Sequence, residues 1–233
     1  VKGKSEMAKQ WQILDSVQTG EGTLELRKRG EKDFLITIAG RVLMNSLANR
    51  SEIVLSELAC KAMSHRKNPR VLIGGLGMGC TLRGALDVLP PDAKVVVAEL
   101  NEEIAGWCEG PLAVLTENAV SDPRVTVKIA DVADLILDAA KEGGSKRFDA
   151  VILDLYEGPF EAAKERGEPF YGAAALDLTR TALMPGGVFA VWTEDPDKAF
   201  EKRLERAGFS FEKHRPGRGG LRHLVYIAGK RKK

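Results

Sequence analysis

Cysteine is scarce in this chain of 233 residues, and Cys60, Cys80 and Cys108 are odd in number, widely spaced and unaccompanied by clustered histidines. That argues against a disulfide framework and a zinc site, so no metal is expected, and it fits a reducing, cytoplasmic compartment. Excess charge of one sign is missing as well: 35 Lys and Arg against 33 Asp and Glu leave +2. So near a balance does not point to nucleic acid. No apolar run approaches the roughly 20 residues of a membrane-spanning helix. The start, Val1-Lys2-Gly3-Lys4-Ser5-Glu6, carries three charged residues with no apolar stretch behind it, so neither a membrane partner nor a signal peptide is expected. Repeats and low-complexity tracts are also lacking. What remains is an ordinary apolar fraction of 44%, enough for one α/β domain with a small appendage.

Against that plain background, Val71-Leu72-Ile73-Gly74-Gly75-Leu76-Gly77-Met78-Gly79-Cys80-Thr81-Leu82-Arg83 stands out. It reads as a buried strand, a glycine-rich turn and a helix start. A second apolar strand, Val95-Val96-Val97-Ala98, ends in Glu99. Glycines let a backbone approach a ligand closely, and a carboxylate at the next strand end accepts hydrogen bonds from both ribose hydroxyls. Gly75, Gly77 and Gly79 give G-x-G-x-G. The helix-packing glycine of a dinucleotide fingerprint is replaced by Cys80, and the Lys-Ser/Thr of a P-loop is absent. The ligand expected is therefore a nucleoside without pyrophosphate, such as S-adenosylmethionine or a relative.

Residues 1–50 read as a small antiparallel β-meander, with strands near residues 12–17, 23–28, 34–38 and 42–44 separated by Gly20-Glu21-Gly22 and Gly30-Glu31-Lys32-Asp33. Ser51 is expected to cap a helix with Val54, Leu55, Leu58, Ala59 and Met63 on its apolar face. From Arg70 onward strands and helices alternate, and residues 209–211 and 224–227 are expected to pair as an antiparallel closing hairpin. The fold class is α/β, a doubly wound, mostly parallel Rossmann-like sheet forming a nucleoside-binding domain over residues 51–233. Three acids stand at strand ends, Glu99, Asp131 and Asp154, where open parallel sheets bind ligands. For Asp131 an alternative stays open, since a carboxylate there also caps the following helix. The basic residues from His214 to Arg222-His223, and Lys230 to Lys233, read as a solvated hairpin and tail.

These residues resemble the spermidine synthase family, the polyamine aminopropyltransferases built on the class I methyltransferase fold. The likeness runs from about Gly30 to Ala228 and is strongest at the glycine turn with Thr81-Leu82-Arg83. Asp122-Pro123-Arg124 and Pro185-Gly186-Gly187 match family turns. The resemblance implies a ribose-binding acid at Glu99, an adenine-edge acid at Asp131 beside Val132, and a catalytic segment at Asp154-Leu155-Tyr156-Glu157-Gly158. It places Met78 where the family carries an acid for the cofactor's ammonium. Glu57 alone remains of a Tyr-His-Glu on the first helix, and Trp192 stands where a glutamine is usual. A homodimer is implied by resemblance only.

The activity so implied is aminopropyl transfer from decarboxylated S-adenosylmethionine to an amine, releasing methylthioadenosine. Asp154 would accept the amine's proton, with Glu157 and Tyr156 beside it. Glu157 and Glu57 would hold the distal ammonium, and Tyr171 and Trp192 would line the slot. Gly75, Gly77, Met78, Gly79, Glu99, Asp131, Val132 and Asp154 would surround the cofactor. Two other readings stay open: methyl or other alkyl transfer from S-adenosylmethionine itself, and nucleoside binding without turnover.

Overall fold

A computed structural model of the chain describes residues 10–155, 170–216 and 223–230. The chain divides into two compact units, Val1–Asn49 and Arg50–Lys233. In the first, β1 (Gln12–Thr19), β2 (Gly22–Arg29), β3 (Asp33–Ile38) and β4 (Arg41–Asn45) form an antiparallel sheet in the order β1-β2-β3-β4. Alternation sets its faces: Leu24 pairs with Ile38 and Leu26 with Ile36, and all four are buried with Phe34. The two-residue β3–β4 link, Ala39-Gly40, has positive φ at both positions, 46° and 78°. That is a type I′ turn, whose twist matches a hairpin.

The second unit begins with α1 (Arg50–Ala62) and continues through β5 (Arg70–Gly74), α2 (Cys80–Val88), β6 (Lys94–Glu99), α3 (Glu102–Glu109) and α4 (Ala113–Thr116). Then come β7 (Val125–Ile129), α5 (Val132–Glu142), β8 (Phe148–Leu153), α6 (Ala173–Ala182), β9 (Leu183–Thr193), α7 (Lys198–Arg206), β10 (Phe209–His214) and β11 (Leu224–Lys230). The strands form one sheet in the order β10-β11-β9-β8-β5-β6-β7, in which β11 alone runs against its neighbours. This is the doubly wound sheet with an antiparallel closing strand. Its central strand β8 has all six residues buried, as a strand covered on both faces requires. Among the described residues no helix is long and apolar enough to cross a membrane.

Strand order reverses between β5 and β8, and the crevice beyond their carboxyl ends is where such sheets bind ligands. Two devices hold the flanking helices close to it. Gly84 on α2 lets α1 approach: a Cβ there would lie 2.6 Å from Ser56 Oγ and 2.9 Å from the Ile53 carbonyl oxygen. Ser51, expected as the cap of α1, instead lies inside that helix. Its hydroxyl goes to Glu52 Oε2 and to the imidazole of His223, side-chain partners that local sequence does not reveal.

Candidate active site at the carboxyl ends of the strands

The glycine turn leaves β5 through three left-handed positions, Gly75, Gly77 and Gly79, with φ of 87°, 51° and 79°. Only glycine adopts that geometry readily. The turn closes on itself through Gly79 N–H to the Leu76 carbonyl, and it is tied to β6 by Gly75 N–H to the Ala98 carbonyl. A Cβ on Gly75 would lie 2.4 Å from the backbone oxygen of Asp154. The turn and the end of β8 are thus in van der Waals contact, which no larger residue permits.

Glu99, at the end of β6, is 7% exposed. Its Oε2 accepts the Leu76 N–H at 2.9 Å and its Oε1 accepts the Asn101 N–H at 3.0 Å. Backbone donors satisfy one lone pair on each oxygen and leave others for a ligand. Asn101 precedes α3, yet its side chain does not cap that helix and turns back toward Glu99. Cys108 donates its thiol to the Gly77 carbonyl at 3.3 Å. Burial, aided by the negative charge of Glu99, pushes that thiol up to about 12.

Asp154 is half-buried at the end of β8 and accepts a short hydrogen bond from the Thr81 hydroxyl. Desolvation, and then the like charge of Glu52, push its carboxyl up to about 7, while the Thr81 bond acts the other way. A carboxyl with that affinity is half-ionised near neutrality and is suited to proton transfer there. The acid that acts on Asp154 comes from the first turn of α1. Glu57, one and a half turns later, pairs instead with Lys61 at 2.8 Å.

The other sequence candidates fall in different surroundings. Met78 is buried, 1% exposed, so its thioether faces protein rather than an open slot. Asp131 caps α5, its Oδ1 accepting the Ala133 N–H at 2.9 Å, and so realises the capping alternative. Val132 is buried over Gly74, where a Cβ would come within 2.9 Å of its methyl. Tyr171 lies in the apolar core, edge-on to Phe200 with ring centroids 5.7 Å apart. Trp192, near the end of β9, stands edge-on to His223 at 4.8 Å, and its buried Nε1–H has no hydrogen-bond partner among the described residues. Tyr156 and Glu157 lie outside the described residues.

Sequence reading did not single out Glu52, Thr81 as a donor to Asp154, or the Ser51–His223 contact. An acid in a helix's first turn looks like ordinary compensation of the helix dipole, and His223 looked like part of a basic hairpin. A groove of about 1140 Å³ lies elsewhere, at the amino-terminal ends of the strands, lined by Arg66, Arg70, Lys94 and Arg124 among others.

Comparison with known proteins bears on this arrangement. A family model described as the spermine/spermidine synthase domain matches residues 55–203. The polyamine aminopropyltransferase of Clostridium tetani (strain Massachusetts / E88) is 32% identical over 157 residues, 63% of this chain and 54% of that protein. The chain thus spans about half the length of this curated relative. The crystal structure of spermidine synthase from Thermotoga maritima superposes with a TM-score of 0.74 at 19% identity, over 95% of this chain and 74% of that one. A spermidine synthase structure in complex with the transition-state analogue AdoDATO gives 0.72 at 19% identity, over 95% and 73%. At that identity these two likenesses establish the fold.

Proposed function

The chain belongs to the spermine/spermidine synthase family, and from that premise we propose that it moves an aminopropyl group from decarboxylated S-adenosylmethionine to an amine acceptor. Methylthioadenosine leaves. The observation that carries this reading is Asp154: a half-buried carboxyl at the end of β8, against the glycine turn, pushed up to about 7. The acceptor arrives as an ammonium and must lose a proton before it attacks. Asp154 takes that proton, the free nitrogen forms a bond to the carbon beside the sulfonium, and the carbon–sulfur bond breaks with its electron pair going to sulfur. Thr81 steadies the carboxylate, and positioning in line supplies much of the acceleration.

Glu99 receives the ribose hydroxyls in this reading, with the lone pairs its backbone partners leave free. Gly75, Gly77 and Gly79 allow the nucleoside to approach the chain, and Asp131 and Val132 lie along its base. Tyr156, Glu157, Glu57, Tyr171 and Trp192 remain proposed contacts of the acceptor. Of these, Tyr171 is packed against Phe200 and Glu57 is paired with Lys61. The reading also takes in a cytoplasmic location, with which three free, buried cysteines agree, and a homodimer, which rests on the family resemblance alone.

A second reading has one observation in its favour. Buried Met78 offers no anion at the position where a decarboxylated cofactor's ammonium would seek one, which suits methyl transfer from S-adenosylmethionine. Calorimetry separates the two. Aminopropyl transfer expects methylthioadenosine and decarboxylated S-adenosylmethionine to bind more tightly than S-adenosylhomocysteine, and methylthioadenosine to appear when an amine is added. Preference for S-adenosylhomocysteine would overturn it.

A further inference from the structure

The near-balance of charge over the whole chain, +2, conceals a local excess at the end of the sheet opposite the candidate site. The groove of about 1140 Å³ lies there, at the amino-terminal ends of the strands. Four neighbouring parallel strands, β8, β5, β6 and β7, are each entered from a cation. Arg147 precedes β8, Arg70 opens β5, Lys94 opens β6 and Arg124 precedes β7. Arg70 and Lys94 are direct partners across their parallel pair. Strands lie about 4.8 Å apart, so the row is roughly 14 Å long. The length of β8 puts roughly 20 Å between it and Asp154.

Pairing decides which of these charges are free. Arg124 is fully engaged, by Asp122 and by the carbonyls of Leu86 and Leu89. Arg66 lies 3.6 Å from Asp149, and Lys146 lies 3.4 Å from Glu142. Asp92, the other acid of the groove, accepts the Asn68 N–H. Among the described residues Lys67, Arg70, Lys94 and Arg147 form no ion pair. Arg70 donates to the carbonyls of Ser145 and Lys146 with its guanidinium over the Phe148 ring, and the charge of Glu142 reaches it without contact. Arg147 Nε is shielded from solvent and has no hydrogen-bond partner. The excess continues behind it, where Arg180 Nε is shielded and unpartnered in the same way. Lys230 donates to the carbonyls of Arg180 and Leu183, both at 2.7 Å. Burial, and then the charges of Arg147 and Arg180, hold its ammonium below the ordinary value. Cations so placed repel one another, and an anion from outside would relieve them.

Size and lining select the class of anion. The groove exceeds the roughly 300–1,000 Å³ of a small-ligand cleft, whose walls are largely apolar. No phenylalanine, tyrosine or tryptophan lines it among the described residues. It therefore offers neither the stacking platform of a single-strand binder nor the aromatic core of a protein interface. A duplex needs neither. It presents a phosphate every ~3.4 Å along each strand, and a row of fixed cations meets them without reading the bases.

We propose that this groove is a docking surface for the phosphate backbone of a nucleic-acid duplex, with Lys67, Arg70, Lys94 and Arg147 as its phosphate contacts. Binding there is independent of base sequence. It is also independent of the aminopropyl-transfer reading, since the groove shares no residue with the candidate active site.

The test is fluorescence anisotropy of a labelled DNA duplex of about 20 base pairs, titrated with the full chain at several salt concentrations. Contacts from these four side chains give log K against log salt a slope of about −3 to −4, hence a roughly 100-fold weakening between about 50 and about 200 mM salt. Lys67→Gln/Lys94→Gln changes two exposed side chains. It should lower affinity at least about ten-fold at the lower salt and reduce the slope by about 2. An unchanged melting curve shows that the double variant is folded, and its methylthioadenosine affinity should equal that of wild type. Lys202→Gln, on α7 outside the groove, should leave duplex binding unaltered. A single strand of the same length should bind wild type more weakly than the duplex, and poly-glutamate at equal charge should fail to displace the duplex. Absence of duplex binding at about 50 mM salt, wild-type affinity in the folded double variant, or equal binding of the single strand would overturn the inference. So would displacement by poly-glutamate, which would assign the groove to an acidic protein instead.

Discussion

Replacing Asp154 with asparagine should raise the stability of this protein in alkaline buffer while removing its activity. The carboxyl moves from the usual 3.8 up to about 7 on folding, first through desolvation and then through the charge of Glu52. Below about pH 3.8 the group is protonated in both states and contributes no difference. Between there and about pH 7 the folded state holds a proton that the unfolded chain has released, so stability falls as pH rises. Above about 7 the whole penalty is present. A gap of about three pH units corresponds to at most ~4 kcal/mol, and the partial exposure of the carboxyl trims it. Asparagine has nearly the same shape, still accepts the Thr81 hydroxyl and carries no charge. Urea denaturation of wild type and Asp154→Asn should therefore give equal stabilities near about pH 4 and a variant more stable by on the order of 2–4 kcal/mol near about pH 8. A difference that does not change with pH, or a variant less stable at the higher pH, would refute the burial argument. The same variant should bind methylthioadenosine within a few-fold of wild type yet turn over no substrate; full activity would take Asp154 out of the mechanism.

Gly75→Ala should be among the costliest small changes in the unit. It combines a φ of +87° with a Cβ 2.4 Å from backbone oxygen, and a loss of roughly 2–4 kcal/mol in denaturant titrations is expected. Wild-type stability would mean that the turn and β8 separate freely. Glu99→Gln should weaken methylthioadenosine binding by about 1–3 kcal/mol, because the carboxylate's remaining lone pairs become fewer and one backbone N–H meets an NH₂; unchanged affinity by calorimetry would place the ribose elsewhere. Cys60 and Cys108, both pushed up to about 12 by burial, should resist a thiol reagent in native protein at about pH 8 and react on unfolding. Rapid native labelling of either, located by mass spectrometry, would contradict their burial. Gly84→Ala should destabilise by on the order of 1–3 kcal/mol, since the Ile53 carbonyl 2.9 Å away is backbone and cannot rotate aside; a neutral melting temperature would show that α1 and α2 pack less tightly than described.

Much of the fold was legible because its signals are local. Alternating Leu24 and Leu26 mark a half-buried strand, and Val95 to Ala98 followed by Glu99 marks a buried one with a polar end. The turn at Gly75, Gly77 and Gly79 declared itself because only glycine takes its backbone angles readily, and all three positions have positive φ. The candidate site was legible to the level of strand ends, and less so at the level of side chains. Asp131 stands at the end of its strand, yet a backbone N–H two residues on claims its carboxylate. Met78 occupies the centre of the turn, but its thioether packs into the interior. Ser51 carried a helix-start signal and proved to be a partner of His223, 172 residues away.

By itself the sequence determined the alternation of strands and helices, the positive-φ turn between β5 and α2, and the presence of carboxylates at three strand ends. Each depends on hydrophobic period, backbone sterics or polarity within a few residues. Only the tertiary structure decided that Thr81 and Glu52 both act on Asp154, and that Glu57 instead pairs along its own helix. Residues five apart on a helix point about 140° away from each other, so the packing of α1 against α2 across Gly84, not the order of residues, selected which acid meets the end of β8. The affinity of Asp154 for its proton follows from that choice, because desolvation and the charge of Glu52 are set by neighbours distant in the chain.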